Sequence, residues 1–176
     1  MSLRLAIALA ASSLVVAGCS TVADLPGNRL GSAALTLANG QPAGSAQLIA
    51  VGDTVTLAVG LTGIAPGAHG IHLHTTGACN SPDFASAGGH LNPLDRQHGS
   101  LAAGGMHEGD LPNVIIQPGG SGALTVDLKG TVEEVRGWLF DADGTAIVVH
   151  AGPDDYRTDP SGNSGARIAC GVIKPA

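Results

Sequence analysis

The chain has 176 residues, enough for one domain with a substantial core, and its 27 Gly and 10 Pro suit short strands joined by many turns. Lys plus Arg total 8 against 14 Asp plus Glu, a formal net charge of −6, and no basic stripe or aromatic–basic platform appears. That balance argues against a nucleic-acid partner, and it would repel an anionic substrate unless a local positive feature intervened.

Residues 1–19 begin with one positive charge, Arg4, followed by an apolar run from Leu5 to Ala17 broken only by Ser12 and Ser13. The run is too short for a spanning helix and reads as a secretory signal. Its end, Val16-Ala17-Gly18 before Cys19, resembles a bacterial lipoprotein signal, in which the cysteine is lipidated and becomes the mature N-terminus. The expected organisation is a signal over 1–18, a lipidated polar tether over 19–28 and one domain over 29–176. The protein is then exported and held at a lipid membrane of the bacterial envelope, facing either the periplasm or the outside. In an exported chain, the remaining cysteines, Cys79 and Cys170, are most economically an oxidised pair.

Strand periodicity begins around Leu35 and Leu37 and turns at Asn39-Gly40. Residues 45–51 give a weaker strand signal, and Val55, Leu57, Val59 and Leu61 line one face of the next. A turn at residues 63–67 leads to a strand over 68–74, where His72 and His74 share one face and Ile71 and Leu73 the other. The simplest arrangement buries Ile71 and Leu73 and leaves the histidine face outward for chemistry. Residues 75–112 lose periodicity and are rich in Gly, Pro, Asn, Asp and His, so an internal staple is expected there. Leu124, Val126 and Leu128 restore alternation. Residues 133–139 read as either a short helix or a strand edge. Asp143-Gly144 marks a turn before a strand at 145–150, and a last strand covers about 167–173. These signals predict an all-β sandwich or closed barrel with two long functional loops.

All seven histidines lie between residues 69 and 150: His69, His72, His74, His90, His98, His107 and His150. Imidazoles suit copper and zinc, and the lack of clustered carboxylates argues against a calcium or magnesium cage. Asp110, three residues after His107, adds one oxygen ligand, so a zinc site needs no thiolate. Enough imidazoles remain for a second, redox-active metal.

The segments Gly70-Ile71-His72-Leu73-His74, Gly89-His90-Leu91-Asn92-Pro93, His98-Gly99 and His107-Glu108-Gly109-Asp110-Leu111-Pro112 follow one another in the chain. Val149-His150-Ala151-Gly152-Pro153-Asp154-Asp155 and Gly165-Ala166-Arg167-Ile168-Ala169-Cys170-Gly171 complete the series. Together they resemble the copper–zinc superoxide dismutase family, in particular its bacterial exported branch. The resemblance implies an eight-stranded Greek-key β-barrel or sandwich that disproportionates superoxide to dioxygen and hydrogen peroxide. It implies copper on His72, His74, His90 and His150, zinc on His90, His98, His107 and Asp110, and a proton-carrying bridge at His90. By the same resemblance Arg167 guides the anion, Cys79 and Cys170 are the family disulfide, and Asp154 links histidines of the two metal sites. His69 is expected to give a framework hydrogen bond near the copper ligands.

One departure bears on steering. The exported family often places lysines before the catalytic arginine, whereas residues 151–166 hold Asp154, Asp155, Arg157 and Asp159 without a lysine. Arg157 either compensates or pairs with Asp155 or Asp159. The competing functional reading is an envelope lipoprotein that binds copper and zinc without turnover. An adhesive β domain leaves the His/Asp pattern unexplained, and a zinc hydrolase would need an open zinc position. Monomer and homodimer are equally compatible with the strand pattern.

Overall fold

The computed structural model describes residues 27–176. The signal, Cys19 and nearly all of the tether lie outside the described residues.

Strands β1 (Asn28–Leu37), β2 (Pro42–Val51) and β3 (Thr54–Leu61) form an antiparallel meander. Its turns use glycines at positive φ, 82° at Gly40 and 60° at Gly52, where an L side chain would be strained. β3 buries Val55, Leu57, Val59 and Leu61 as their spacing predicts. β1 starts well before the alternation at Leu35, with Asn28, placed in the tether by sequence, paired to Ala50. A register shift between Arg29 and Gly31 breaks the period and hides the first half of this strand.

β4 (Gly67–His69) and β5 (Ile71–His74) are separated only by Gly70 and act as one bent strand. β4 pairs with β6 (Val114–Ile116), while β5 pairs with β8 (Ala146–His150). Gly70 is required at the bend, because a Cβ there would lie 2.9 Å from the Cβ of Ser164. β7 (Gly122–Leu128) pairs with β3, β8 with β9 (Arg167–Val172), and β9 with β1, while the short β10 (Lys174–Pro175) adds to β1. Every one of these pairings is antiparallel. With β4–β5 taken as one strand and β10 as a flap, eight strands make the expected Greek-key half-barrel, in the order β5-β8-β9-β1-β2-β3-β7, with β6 attached through β4.

Residues 132–139 settle as helix α1 (Val132–Leu139). Thr131 accepts the Glu134 amide, and the Glu134 carboxylate accepts the Thr131 amide, a reciprocal cap that contributes about 1 kcal/mol. Val135 and Leu139, one turn apart, are the face it buries.

The barrel interior holds Ile71, Leu73, Ile147, Val149 and Ala169 from β5, β8 and β9, together with the apolar faces of β1–β3. The opposite face of β5–β8–β9 is also dry. Ala146, Val148 and Cys170 pack there against Phe84, Ala87 and Cys79 of the long loop. The expectation of an outward-facing histidine face on β5 therefore needs correction: all four of its residues are buried. The loop covers that face, which turns a half-buried strand into one buried on both sides.

Candidate metal centre

β5 is an edge strand whose free edge is taken up by the loop. Thr75 N–H donates to Gly89 O (3.0 Å), Leu91 N–H to Leu73 O (2.8 Å) and Leu73 N–H to Gly109 O (2.9 Å). Isolated bridges set His74 opposite His90 and His72 opposite Asp110. Backbone pairing thus carries loop residues distant in sequence to the two strand histidines, and β8 brings His150 beside them.

The result is two groups of potential ligands sharing one residue. His72, His74, His90 and His150 form the first, and His90, His98, His107 and Asp110 the second; within each, the ligand atoms lie within 4.8 Å of one another and all the residues are buried. In the first group the hydrogen bonds fix which nitrogen is free. His74 Nδ1 donates to Gly88 O (3.0 Å), His150 Nδ1 to Gly165 O (3.0 Å), and His72 Nε2 to Asp154 Oδ2 (2.8 Å). Their other nitrogens, His74 Nε2, His150 Nε2 and His72 Nδ1, are buried without a partner, as is His90 Nε2. Four orphaned imidazole nitrogens in one buried group would be costly unless a cation took their lone pairs.

In the second group, Nδ1 of His90, His98 and His107 lie 2.8, 3.0 and 3.2 Å from Asp110 Oδ1. His98 also holds its Nε2 3.0 Å from Asp154 Oδ1, so this ring bridges two carboxylates. The spacing around Asp110 Oδ1 suits a cation, since roughly 3.3 Å separates the ligand atoms around a tetrahedral ion with ~2.0–2.1 Å bonds. The other oxygen, Asp110 Oδ2, is held by the amides of Gly99 (2.8 Å) and His107 (3.1 Å), leaving one oxygen for an ion. The residues fit two neighbouring metals.

Burial drives the electrostatics. Desolvation lowers the pKa of His74 to about 2, and that of His90 and His150 to about 4, with the neighbouring histidines adding to the depression. Burial would raise Asp110 and Asp154. Hydrogen bonds from His90 and Gly99 to the former, and from His72 and His98 to the latter, instead hold both at about 2. At neutral pH His74, His90 and His150 are therefore neutral imidazoles and Asp110 is an ionised carboxylate, the forms that bind metal.

The remaining predicted residues fall around this centre. Asp154 joins one ring of each group, through His72 and His98. His69 sits behind it, with Nδ1 against His150 O (2.8 Å) and Nε2 against Ala65 O (2.9 Å). Cys79 and Cys170 are bonded, with Cα atoms 5.7 Å apart. Arg167 donates to Phe84 O (2.7 Å) and Gly88 O (2.6 Å), and lines a cavity of about 160 Å³ with His74, His90 and His150. No ion pair joins Arg157 to an acid among the described residues. Asp155 instead caps its own loop, accepting from the amides of Arg157 and Thr158 and the side chains of Thr158 and Asn163. Asp159 accepts the His98 amide at 2.7 Å.

Sequence reasoning passed over the carbonyls of Phe84, Gly88 and Gly165, and over Asn113. Carbonyls carry no side-chain signal. Asn113 directly follows the His107–Pro112 motif and was open to notice as a polar residue at the entry of a strand.

Comparison with known proteins agrees with this geometry. Residues 42–173 match the family model described as copper/zinc superoxide dismutase (SODC). A protein of Aquifex aeolicus named superoxide dismutase [Cu-Zn] 2 is 40% identical over 168 residues, covering 93% of this chain and 95% of its own. One of Caulobacter vibrioides named superoxide dismutase [Cu-Zn] is 40% identical over 149 residues, covering 81% and 84%. Among solved structures, a SOD-like protein from Bacillus subtilis superposes with TM-score 0.77 at 32% identity, covering 84% of this chain and 100% of that one. The Cu/Zn superoxide dismutase from Brucella abortus gives TM-score 0.64 at 28% identity, covering 81% and 98%. A matched family model across most of the domain, in a chain that buries two histidine-rich ligand groups joined at His90, makes this chain a member of the copper/zinc superoxide dismutase family.

Proposed function

We propose that this enzyme disproportionates two superoxide anions and two protons to dioxygen and hydrogen peroxide, with copper on His72, His74, His90 and His150 and zinc on His90, His98, His107 and Asp110. The observation that carries the assignment is the set of four buried, unpartnered imidazole nitrogens in the first group, joined through His90 to a group that includes a carboxylate. An all-imidazole set suits copper, and three imidazoles with one carboxylate suit a structural zinc.

When bound, copper supplies a one-electron redox couple and zinc a fixed positive charge. The protein's residues do the rest. Arg167 presents donors and a permanent charge to the anion at the cavity that also exposes His74, His90 and His150. His90 holds Nε2 toward the copper group and Nδ1 toward the zinc group, so a proton on Nε2 is placed at the anion cavity. The carbonyls of Gly88 and Gly165 fix the tautomers of His74 and His150, and Asp154 fixes those of His72 and His98.

The finer organisation belongs to the same proposal: a signal over 1–18, a lipid on Cys19 with a tether to residue 28, and the enzyme domain over 29–176, exported to the bacterial envelope. The apolar run before Cys19 and the oxidised Cys79–Cys170 pair support it. The competing reading, metal binding without turnover, is disfavoured by the two-carbonyl anchoring of Arg167 beside three of the copper ligands. The test is metal analysis coupled to superoxide decay for the wild type and His90→Ala. Two ions per chain with catalysed decay that H90A abolishes supports the enzyme; stoichiometric metal with background decay supports storage.

A further inference from the structure

Asn113 lies three residues after Asp110 and immediately before β6, with no ligand atom of its own in either group. Its side-chain amide nevertheless meets both main-chain polar groups of Asp154: Nδ2 donates to Asp154 O (2.9 Å), and Oδ1 accepts Asp154 N–H (2.8 Å). The two bonds fix the amide's orientation, because a flipped amide would set like groups against each other. The main chain joins in. Asn113 N–H donates to the Tyr156 hydroxyl (2.8 Å), and Tyr156 N–H donates to Asp154 Oδ1 (2.6 Å). Tyr156 O then accepts Leu101 N–H from the zinc-side loop (3.0 Å). Tyr156 itself has φ 63°, a left-handed conformation uncommon outside glycine that persists only where the surroundings over-determine it.

These bonds form a buckle between two stretches of chain that share no regular pairing. One carries Asp110; the other carries Asp154, whose two carboxylate oxygens hold His72 and His98. We propose that Asn113 is a positioning residue for the metal centre: by gripping the backbone of Asp154 it fixes the carboxylate that sets one histidine of each metal group. The inference rests on the proposed metal assignment. It assigns Asn113 a role beyond holding the loop, since a shift of the Asp154 backbone moves a copper ligand and a zinc ligand together.

Asn113→Ala removes both side-chain bonds. Asn113→Asp keeps an acceptor for the Asp154 amide but turns a second oxygen against the Asp154 carbonyl. Tyr156→Phe leaves the side-chain grip intact and removes only the acceptor for the Asn113 amide. Removing groups that orient ligands typically weakens metal affinity ~10- to 100-fold, and Asn113 acts one step further out, so about 10-fold is expected. Each purified, disulfide-bonded protein is loaded with copper, and with cobalt in place of zinc. Metal retention is read by chelator competition, the visible spectrum of cobalt and the paramagnetic resonance of copper report ligand geometry, and thermal unfolding of the metal-free form reports stability. The proposal expects both Asn113 variants to lose cobalt about 10-fold more readily and to shift both spectra, with Tyr156→Phe intermediate. Variants that unfold at lower temperature yet keep wild-type retention and both spectra overturn it, because that is the signature of a merely structural contact. If Asn113→Ala does not fold, Asn113→Asp carries the same readouts. A wild type that takes up neither metal defeats the site assignment as well, whereas a loaded wild type with indistinguishable variants defeats the role of Asn113 alone.

Discussion

Arg167 and His74 share an acceptor: the carbonyl oxygen of Gly88 lies 2.6 Å from Nη2 of Arg167 and 3.0 Å from Nδ1 of His74. The cavity's guanidinium and one imidazole of the first ligand group are thereby referenced to one atom of the loop. A second guanidinium bond, to Phe84 O, stops Arg167 from pivoting about that atom.

Arg167→Ala should lower kcat/KM by about 10- to 100-fold and flatten its dependence on ionic strength, because the one Arg or Lys lining the cavity among the described residues is lost. Arg167→Lys should fall between, since an ammonium cannot reproduce the planar fork that engages two carbonyls. Initial rates across a salt series, normalised to bound copper, check both.

Gly162→Ala should damage the metal centre from a position outside either ligand group. A Cβ at Gly162 would overlap Asp154 Oδ1 and fall 2.7 Å from His98 Nε2, and the residue already has φ 63°. The methyl must push the carboxylate off the His98 ring. Faster zinc loss in a chelator assay, with far-ultraviolet circular dichroism unchanged, is the expected outcome.

The metal-free protein should lose stability steadily as pH falls from about 6.5 toward 4. His90 and His150 have folded pKa values of about 4, below the 6.5 of an unfolded chain, and His74 lies lower still. Between those limits the unfolded state binds more protons, so stability is full above 6.5 and drains away on acidification. Asp110 and Asp154, at about 2 against 3.8 unfolded, extend the loss below pH 3.8. Thermal midpoints of chelator-treated protein at stepped pH give the slope, and bound metal should shift the whole curve to lower pH.

Reducing Cys79–Cys170, or replacing both with Ser, should cost about 4–5 kcal/mol on the loop-entropy estimate for a link spanning 91 residues. Arg167 and Cys170 both belong to β9 and both hold the segment from Cys79 to Gly88. Activity should therefore fall further than the population of unfolded chain alone accounts for. Denaturant midpoints beside metal-normalised rates, with and without reductant, separate the two effects.

The barrel was legible where apolar residues alternate with small or polar ones: Val55 to Leu61 formed β3, and Leu124 to Leu128 formed β7 with Thr125 and Asp127 exposed between them. It was obscured in β1, where a register shift interrupts the period, and on β5, where the loop buries the second face. The two groups were readable as histidine spacing joined to a family pattern, and the fold brings His72, His74, His90 and His150 together, and His90 together with His98, His107 and Asp110. What stayed hidden was the work of carbonyls at Phe84, Gly88 and Gly165, because any residue type can supply them. Asn113 was hidden for another reason: its partners are the main chain of Asp154, 41 residues away, and no local spacing rule joins the two.

The donors are divided unequally between rigid and irregular chain. His72, His74 and His150 stand on β5 and β8, hydrogen-bonded into the ladder, whereas His98, His107 and Asp110 come wholly from the loop. The sheet itself thus sets three nitrogens of the first group, while of the carboxylate-bearing group it holds directly only His90 and Asp110, through their bridges to His74 and His72. An ion held by His90, His98, His107 and Asp110 would therefore tie one stretch of loop to another and, through His90, to the strand histidines. A chain starved of that ion would keep its barrel and expose its loop to proteases.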